Sequence, residues 1–255
     1  MSEYDILADL YDLEYDHDYD LPFWLALAGR ENRPVIEWGA GTGRIAAPLA
    51  ATGHDVTTVE LSERMVERGR KKDENVRWIA GDMRTAKPGG RYGLAVCAFN
   101  SFLCLLTPDD AVAFLRNARE HLKPDGLLGI EVSALSPEEL VDPPGGPALR
   151  HDLTRELPDG GRLDRFSLSR YDAASQLMDM RLFYDLYDAS GRLESRRAHD
   201  LTIRITGRAE LELMLRLAGF ETEALYGGFE GEPFTAGSDH LVVLARMQAS
   251  ARSEN

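Results

Sequence analysis

From residue 34 onward, short apolar runs alternate with segments of helical periodicity. Strands that alternate with helices along a chain form a mainly parallel sheet with helices on both faces. The predicted strands are Val35–Trp38, Asp55–Leu61, Val76–Gly81, Tyr92–Asn100, Leu127–Ser133, Phe220–Tyr226 and His240–Met247. The predicted helices are Gly43–Ala51, Glu63–Lys72, Asp109–Leu122 and Arg208–Ala218. The sequence therefore predicts a doubly wound α/β core of seven strands, formed by residues 34–133 and 207–255.

Two segments depart from this alternation. Residues 1–33 are rich in Tyr and Asp and are predicted to form a helical N-terminal cap that ends near Gly29. Residues 134–206 begin with a loop rich in Pro and Gly and continue as period-2 segments, such as Arg165–Tyr171 and Met178–Tyr187. We expect this segment to be an inserted antiparallel β subdomain that covers the mouth of a ligand site, with a dimer surface as the alternative use.

The charge of the chain restricts its partners. Its 255 residues carry 29 Lys and Arg against 43 Asp and Glu, a formal net charge of −14. A field of this sign repels nucleic-acid phosphates and anionic lipid surfaces, so we expect neither nucleic acid nor membrane as a partner. No segment approaches the ~20 apolar residues of a membrane helix, and the N-terminus does not resemble a signal peptide, so we expect a cytoplasmic protein. Cys97 and Cys104 are expected to be buried thiols.

Glycines follow the first predicted strand in the sequence Glu37-Trp-Gly-Ala-Gly-Thr-Gly43. Ligands of open parallel sheets bind beyond the carboxyl ends of the strands, where glycines permit a tight turn and close approach to backbone. The spacing here is G-x-G-x-G, whereas the pyrophosphate of a dinucleotide requires G-x-G-x-x-G. The loop therefore favours a nucleoside ligand without phosphates.

The next three strands also end in polar groups that an adenosine ligand requires. Glu60 closes the second strand, where a carboxylate accepts hydrogen bonds from both ribose hydroxyls. Asp82 and Met83 follow the third strand, where an aspartate accepts from an exocyclic amine. The fourth strand ends in Asn100 and Ser101, and we expect Asn100 to be a site residue, with a structural turn as the alternative.

Together, Glu37–Gly43, Glu60, Gly81–Met83 and the Leu122–Gly126 turn resemble the class I S-adenosylmethionine-dependent methyltransferases. The resemblance covers about residues 34–133 and 207–247. It implies a Rossmann-like sheet, with S-adenosylmethionine as the cofactor and a small-molecule methyl acceptor as the partner.

The resemblance also implies the cofactor-binding residues. The methionine part is bound by Glu37, Gly39, Ala40, Gly41 and Gly43. Glu60 binds the ribose, and Asp82 and Met83 flank the adenine. Asn100, Ser101 and Phe102 line the cofactor and face the acceptor, and Leu61 and Met65 complete the predicted set.

Within this family, the N-terminal helix and the inserted sheet resemble the glycine and amino-sugar N-methyltransferases. This narrower resemblance implies that Tyr11 and Tyr19 help to close over the cofactor. Two features depart from the family pattern. Trp38 replaces the usual Leu or Val before the first glycine and is expected to fill the sheet–helix interface. An Asn/Asp-Pro-Pro-Tyr motif is missing after the fourth strand, which argues against enzymes that methylate nucleobases or glutamine amides.

The acceptor chemistry depends on whether a base is needed. An amine acceptor needs little more than the loss of its proton, whereas a hydroxyl usually needs a base or a metal. The predicted catalytic candidates are Tyr11, Tyr15, His17 and His199, and His151 and His240 are further possible bases. His240 is expected mainly to cap the final strand. We predict no metal site, because no His, Asp and Glu cluster has metal-ligand spacing.

Two further segments are candidates for the acceptor side. The acidic stretch Asp16–Asp20 is expected to be a solvated face, with recruitment of a cationic amine as the alternative. Phe229, Glu230 and Phe234 lie in the glycine-flanked loop 227–234, which is able to reach the site, and Glu230 is a candidate to position an ammonium group.

The sequence thus predicts transfer of a methyl group from S-adenosylmethionine to an amine or hydroxyl of a small metabolite. One alternative is an NAD-dependent oxidoreductase, which the glycine spacing and the pair Asp82 and Met83 disfavour. Another is a non-catalytic S-adenosylmethionine-binding protein, and a third is a macromolecular acceptor such as a basic protein. The oligomeric state stays open, because the inserted period-2 segments are able to pair across a two-fold axis into a homo-oligomer.

Overall fold

The computed structural model describes residues 8–15, 17–31, 33–136, 140 and 146–247. Its helices are α1 (Ala8–Glu14), α2 (Leu21–Glu31), α3 (Ala46–Ala51), α4 (Glu63–Lys72), a 3₁₀ helix (Ser101–Cys104), α5 (Pro108–His121) and α6 (Arg208–Leu217). Its strands are β1 (Val35–Trp38), β2 (Val56–Glu60), β3 (Arg77–Ala80), β4 (Tyr92–Cys97), β5 (Leu122–Ser133), β6 (Arg150–Glu156), β7 (Arg162–Asp172), β8 (Leu177–Tyr187), β9 (Leu193–Arg204), β10 (Phe220–Tyr226) and β11 (His240–Met247). None of the helices within the described residues is long and apolar enough to cross a bilayer.

The larger sheet has seven strands in the order β10-β11-β5-β4-β1-β2-β3. Strand β1 pairs in parallel with both β2 and β4, whereas β11 runs antiparallel to β5 and β10. After β3 the chain crosses to the other side of β1, so the boundary between β1 and β4 is the switch point at which such sheets bind ligands. The prediction of a seven-stranded, mainly parallel, doubly wound sheet is confirmed.

Each face of this sheet packs a separate hydrophobic core, because successive residues of a strand point to opposite faces. In β1, Ile36 and Trp38 belong to one core, and Val35 belongs to the other, together with Trp24 of α2. The Trp38 ring packs against Phe114 of α5 with centroids 5.9 Å apart. Trp38 therefore fills the sheet–helix interface, as predicted.

A second, antiparallel sheet has four strands in the order β6-β7-β8-β9. Leu163, Leu182 and Tyr184 on this sheet form a buried cluster with Leu10 of α1 and Met65 of α4. The inserted sheet predicted from the period-2 pattern is confirmed. The apolar residues of this smaller sheet form a third hydrophobic cluster, together with residues of the N-terminal helix and of the α/β core.

The N-terminal segment is helical, as predicted, and forms two helices, α1 and α2, the second of which ends at Glu31. One local prediction is wrong. Lys123–Gly126 does not form a turn ahead of the strand but lies inside β5, where the pairing with β4 shifts register. Pro124 has no N–H to donate to the ladder, so this segment bulges out of it. Most of the predicted proline-rich loop lies outside the described residues.

Candidate active site

The glycine-rich loop between β1 and α3 has positive φ at Gly39, Gly41 and Gly43. Glycine adopts this backbone conformation readily, whereas other residues are strained in it. Packing adds a second constraint, since a Cβ on Gly39 would lie 2.6 Å from Ser101 Cβ and a Cβ on Gly43 would lie 2.4 Å from Trp78 Cη2. The loop thus exposes bare backbone because conformation and packing both exclude side chains.

Glu60 is buried at the end of β2, and its carboxylate binds backbone N–H groups of two segments. Its Oε2 accepts a hydrogen bond from the Gly41 N–H at 2.9 Å, and its Oε1 accepts one from the Ser62 N–H at 2.8 Å. Ser62 is the N-cap of α4, where its hydroxyl accepts from the Met65 N–H at 3.2 Å. One carboxylate therefore holds the glycine loop against the start of α4.

Glu37 is a buried acid in β1. The Ala46 N–H at the start of α3 hydrogen-bonds to its carboxyl group, but Oε2 is buried and has no hydrogen-bond partner among the described residues. Burial raises the pKa of Glu37 to about 8, against the opposing effect of the Arg44 cation. A cation placed beside Glu37 would favour its ionised form.

Asp82 and Met83 follow β3 on the far side of the loop. Arg84 donates from Nε to both carboxylate oxygens of Asp82 at 3.0 Å and also pairs with Asp110 at 2.5 Å. This pairing lowers the pKa of Asp82. The Met83 side chain reaches the loop, since its Cε lies 3.3 Å from the position of a Cβ on Gly39. The end of β3 therefore meets the glycine loop, with Arg84 as a partner of Asp82 that the sequence analysis missed.

Helix α1 lies over the loop. The Tyr11 ring is close to Gly41, with Cζ 3.4 Å from the position of a Cβ on that glycine. Burial raises the pKa of Tyr11 well above its ordinary value of 10.0, which keeps the phenol protonated at neutral pH. The role of Tyr11 in closing over the cofactor stays a prediction, and the raised pKa argues against its predicted role as a base.

Asp20 corrects the prediction of a solvated acidic face. Its carboxylate is buried and accepts two hydrogen bonds from Arg44, at 2.6 and 2.8 Å, and one from Trp24 Nε1 at 3.2 Å. Burial opposes ionisation, but the Arg44 pair outweighs it and lowers the pKa of Asp20. Asp18 is exposed as expected, and Asp16 lies outside the described residues.

The chain turns sharply after β4. Phe99 and Asn100 have φ of 53° and 65°, a left-handed conformation that asparagine adopts readily and that is uncommon for a residue such as phenylalanine. Asn100 Oδ1 accepts from the Ser133 N–H at 2.6 Å, and its Nδ2 donates to Ser133 Oγ at 3.0 Å. Because both polar ends of the amide bind Ser133, Asn100 stabilises the turn, which is the alternative that the sequence left open.

The next two residues join this turn to its surroundings. Ser101 Oγ donates to the Gly39 carbonyl at 2.9 Å and so connects the turn to the glycine loop. Phe102 is buried in the larger core, where its ring lies 6.1 Å from that of Phe114.

Six rings form a continuous group beside the β4 turn, which we call the aromatic cluster. Its members are Tyr15, His17, Tyr19, Phe99, Phe229 and His240. The centroids of Tyr15 and Phe99 are 4.7 Å apart, and those of Phe229 and His240 are 4.9 Å apart. The loop 227–234 thus reaches this region through Phe229, as predicted, whereas Glu230 is exposed.

The predicted bases lie in different surroundings. Burial raises the pKa of Tyr15, whose hydroxyl accepts a hydrogen bond from Arg165 at 3.1 Å. Burial and the Arg44 cation lower the pKa of His17, and its Nδ1 is buried with no partner among the described residues. His199 is buried in β9 opposite Leu182 of β8. The phenol of Tyr15 therefore stays neutral. Of the two predicted histidine bases, His17 belongs to the aromatic cluster and His199 does not.

The remaining predicted residues are placed as follows. Leu61 is 54% exposed beside Glu60, and Met65 is buried in the third cluster. Tyr19 is 51% exposed and contacts His240 and Phe229 at the opposite end of the aromatic cluster from Tyr15. Among the described residues, no group of three or more His, Cys, Asp and Glu side chains is arranged to hold a metal ion.

Buried ion pairs were missed by the sequence analysis. Glu14 of α1 pairs with Arg165 of β7 and accepts a hydrogen bond from Tyr184 at 2.9 Å, which ties the cap to the smaller sheet. Glu131 of β5 binds His240 at the start of β11. An acidic residue within an otherwise apolar strand was a signal for Glu131, whereas Glu14 lies in a segment rich in Asp that gave no such signal.

Comparisons with known proteins agree with this geometry. A family model described as a methyltransferase domain matches residues 35–126, which contain the glycine loop, Glu60, Asp82 and the β4 turn. The cypemycin N-terminal methyltransferase of Streptomyces sp is 27% identical over 222 residues, or 86% of this chain and 84% of that protein. The dTDP-3-amino-3,4,6-trideoxy-alpha-D-glucopyranose N,N-dimethyltransferase of Streptomyces venezuelae is 27% identical over 238 residues, or 90% of this chain and 96% of that protein.

A solved structure extends the similarity to nearly the whole chain. The CcbJ methyltransferase from Streptomyces caelestis aligns with a TM-score of 0.83 and 29% identity, covering 98% of this chain and 99% of that one. The alternative of an NAD-dependent oxidoreductase finds no support among these relatives. The strand order, the glycine loop at its switch point and these matches lead to one conclusion: the chain contains a methyltransferase domain and has the fold of the class I S-adenosylmethionine-dependent methyltransferases.

Proposed function

We propose that this methyltransferase methylates an amine of a small metabolite. The observation that carries the proposal is the position of the aromatic cluster. Phe99 belongs both to this cluster and to the β4 turn, and Ser101 of the same turn binds Gly39, so the cluster lies beside the glycine loop. Aromatic faces attract cations, and an amine acceptor arrives as a cation and leaves as one. A relative whose name specifies N,N-dimethylation of an amino sugar supports the same acceptor atom.

The residues around the glycine loop fit S-adenosylmethionine. Glu37 Oε2, which is buried and unpartnered among the described residues, suits the ammonium group of the methionine part. Gly39 leaves backbone accessible where a Cβ would clash with Ser101, and the positive φ of Gly41 disfavours a side chain there. Glu60 at the end of β2 suits the ribose hydroxyls, and Asp82 suits the adenine amine.

The other predicted cofactor residues keep narrower roles in this proposal. Met83 flanks the adenine, Tyr11 covers the loop, and Ser101 positions Gly39. Leu61, Met65, Asn100 and Phe102 support the site through β2, α4 and the β4 turn.

Catalysis then rests on alignment and on the exclusion of water. When bound, S-adenosylmethionine supplies an electrophilic methyl group on a sulfonium centre. The contribution of this chain is to hold the acceptor nitrogen in line with that carbon, which removes most of the entropic barrier. Helix α1 and the smaller sheet, joined through Glu14 and Arg165, shield the site from solvent.

The test is a methyl-transfer assay with paired acceptors. We would incubate the protein with S-adenosylmethionine and either dTDP-3-amino-3,4,6-trideoxy-glucose or the same sugar nucleotide with a hydroxyl in place of the amine. A peptide with a free N-terminal amine and its N-acetylated form make a second pair. Methylation of the amine-bearing sugar nucleotide and not of its hydroxyl partner supports the proposal.

The alternatives give different results in this assay. Methylation of the hydroxyl sugar alone would establish an O-methyltransferase. Tight binding of S-adenosylmethionine by calorimetry with no turnover on any acceptor would favour a non-catalytic binding protein. Methylation of the free-amine peptide, with no methylation of either sugar nucleotide, would favour a larger acceptor over a small metabolite.

A further inference from the structure

His240 of β11 and Glu131 of β5 form a part-buried pair across two antiparallel strands. Glu131 is only 2% exposed, and its Oε1 lies 2.8 Å from His240 Nδ1. Its Oε2 accepts a hydrogen bond from the Phe99 N–H at 2.6 Å. A carboxylate held in this way accepts a hydrogen bond from the Nδ1–H of the neutral imidazole, so the lone pair of the ring is on Nε2.

The pair lies on the same edge of the sheet as the glycine loop. His240 is opposite Ser133 in the pairing of β11 with β5, and Ser133 binds Asn100 in the β4 turn. Ser101 of that turn binds Gly39. Neighbouring strands are ~4.8 Å apart, so β11 lies roughly 10 Å from β4, a span that suits a small acceptor.

The surroundings of His240 favour a positive charge and access from solvent. Its side chain is 22% exposed, and its ring lies 5.8 Å from Tyr19 and 4.9 Å from Phe229. The hydrogen bond to Glu131 raises the pKa of His240 above its ordinary value of 6.5, and the Asp239 and Asp20 carboxylates act in the same direction, while burial opposes them.

Titratable groups surround the imidazole of His240 from three directions. Glu131 faces it from β5, Asp239 precedes it in the chain, and Tyr19 and Asp20 face it from the segment before α2. Asp20 is already paired with Arg44, so Glu131 is the main anionic partner of His240.

We propose that His240 Nε2 accepts the proton of the acceptor's ammonium group and that Glu131 is the positioning residue that orients the imidazole. This inference rests on the amine acceptor proposed above. The ammonium N–H bond breaks and leaves its electron pair on nitrogen, while the proton moves to Nε2. That pair then forms the bond to the methyl carbon as the carbon–sulfur bond breaks toward sulfur, and His240 later returns its proton to solvent.

The chemistry explains why such a base is useful. Amines have conjugate-acid pKa values from ~8 to ~10.4, so they are mostly protonated and unreactive at neutral pH. A base beside the acceptor removes this barrier, and its contribution should fade once the pH is high enough to deprotonate the free amine. This pH dependence distinguishes a base from a residue with only a structural role in the pocket, whose loss would have the same effect at every pH.

The experiment compares the full-length wild type with His240→Gln and Glu131→Gln. His54→Gln is the matched control, because His54 precedes β2 at the amino-terminal edge of the sheet, away from the site. We would measure kcat and KM for the amine-bearing sugar nucleotide and the free-amine peptide from about pH 6 to about pH 9.5. Calorimetry with S-adenosylmethionine and thermal unfolding would establish that each variant is folded and binds the cofactor.

We expect His240→Gln to lose about 100-fold in kcat/KM near neutral pH, with most of that loss recovered at the alkaline end. Glu131→Gln should shift the acidic limb of the pH profile to lower pH, because the imidazole loses its anionic partner. Cofactor affinity should stay unchanged in both variants, and His54→Gln should match the wild type.

Three outcomes are informative. The expected pH-dependent loss supports the proposal. A His240→Gln profile that matches the wild type, or a loss that is equal at every pH, overturns the role of His240 while methyl transfer to amines stands. If the wild type binds S-adenosylmethionine but methylates neither amine, the amine acceptor itself is wrong, and this inference fails with it.

Discussion

The hydroxyl of Thr42, in the glycine-rich loop, donates a 2.5 Å hydrogen bond to Asp12 Oδ1 on α1. Lys72 of α4 donates to both partners, at 2.6 Å to Asp12 and at 2.8 Å to Thr42. The N-terminal helix is thus fastened to the loop by a part-buried charge network, next to the place where Tyr11 covers Gly41. Cofactor affinity should therefore depend on a residue that need not touch the cofactor.

The first prediction concerns this connection. Asp12→Ala should weaken S-adenosylmethionine binding about fivefold, or ~1 kcal/mol, because Thr42 and Lys72 lose a shared acceptor and α1 is held less firmly. Asp9→Ala is the matched control, since Asp9 lies on the same helix and its ion pairs within the described part of the chain, with Arg64 and Arg68, are exposed. Calorimetry on both variants is the measurement, and equal losses would mean that α1 is held by charge in general and not by Asp12.

The second prediction separates backbone strain from a steric clash. Gly39 and Gly53 both have positive φ, but a Cβ on Gly53 has no neighbour within 4 Å, whereas one on Gly39 meets Ser101. Gly53→Ala should lower the free energy of unfolding by ~1 kcal/mol through strain alone. Gly39→Ala should lower it by about 2 kcal/mol more and abolish cofactor binding. Urea unfolding and calorimetry test this, and comparable losses in the two variants would contradict the clash.

The third prediction concerns Glu60. Glu60→Ala should weaken S-adenosylmethionine binding by ~1–3 kcal/mol, because the ribose and the Gly41 and Ser62 N–H groups lose a charged acceptor. Glu60→Gln keeps one acceptor oxygen and should lose less. Unchanged affinity in Glu60→Ala by calorimetry, with a normal melting temperature, would show that the ribose does not bind at the end of β2.

The fourth prediction is a pH dependence at Glu37. The pKa of this residue is about 8 in the folded protein against an ordinary value of 4.5, so between these values the folded state holds a proton that the unfolded state has released. The contribution of Glu37 to stability is therefore full below pH 4.5 and is lost as the pH rises through 8. Urea unfolding without cofactor should show this fall in the wild type and its absence in Glu37→Gln.

Cofactor binding supplies a second measurement for Glu37. An ammonium group beside the carboxyl favours the ionised form, so binding of S-adenosylmethionine near neutral pH should release a proton. Calorimetry in two buffers with different ionisation enthalpies detects that release, which should disappear in Glu37→Gln. Equal proton release by both proteins would place the ammonium group elsewhere.

Much of the fold follows from local sequence. Val35–Trp38, Glu63–Lys72, Phe220–Tyr226 and His240–Met247 have the bounds that their periodicity predicts. Thr107 caps α5 as its position before Pro108 indicates, because its hydroxyl accepts from the Asp110 N–H. Periodicity, caps and turn residues act over a few positions, so a single sequence carries them.

The cofactor edge also follows from the sequence, for a topological reason. The carboxyl ends of adjacent parallel strands share one edge of a sheet, so the glycine loop, Glu60 and Asp82 must lie near one another once β1, β2 and β3 pair in parallel.

The acceptor side was decided only by the tertiary structure. Asp20 pairs with Arg44, Glu14 with Arg165 and Glu131 with His240, and each pair joins distant parts of the chain. Their meeting depends on sheet order and on the register of β11 against β5, which no local pattern encodes. Burial then determines which carboxylates stay charged and with which partners, because removing a charge from water is unfavourable unless a counter-charge lies beside it. The sequence by itself determined the cofactor class and the sheet that binds it, and long-range packing determined which groups face the acceptor.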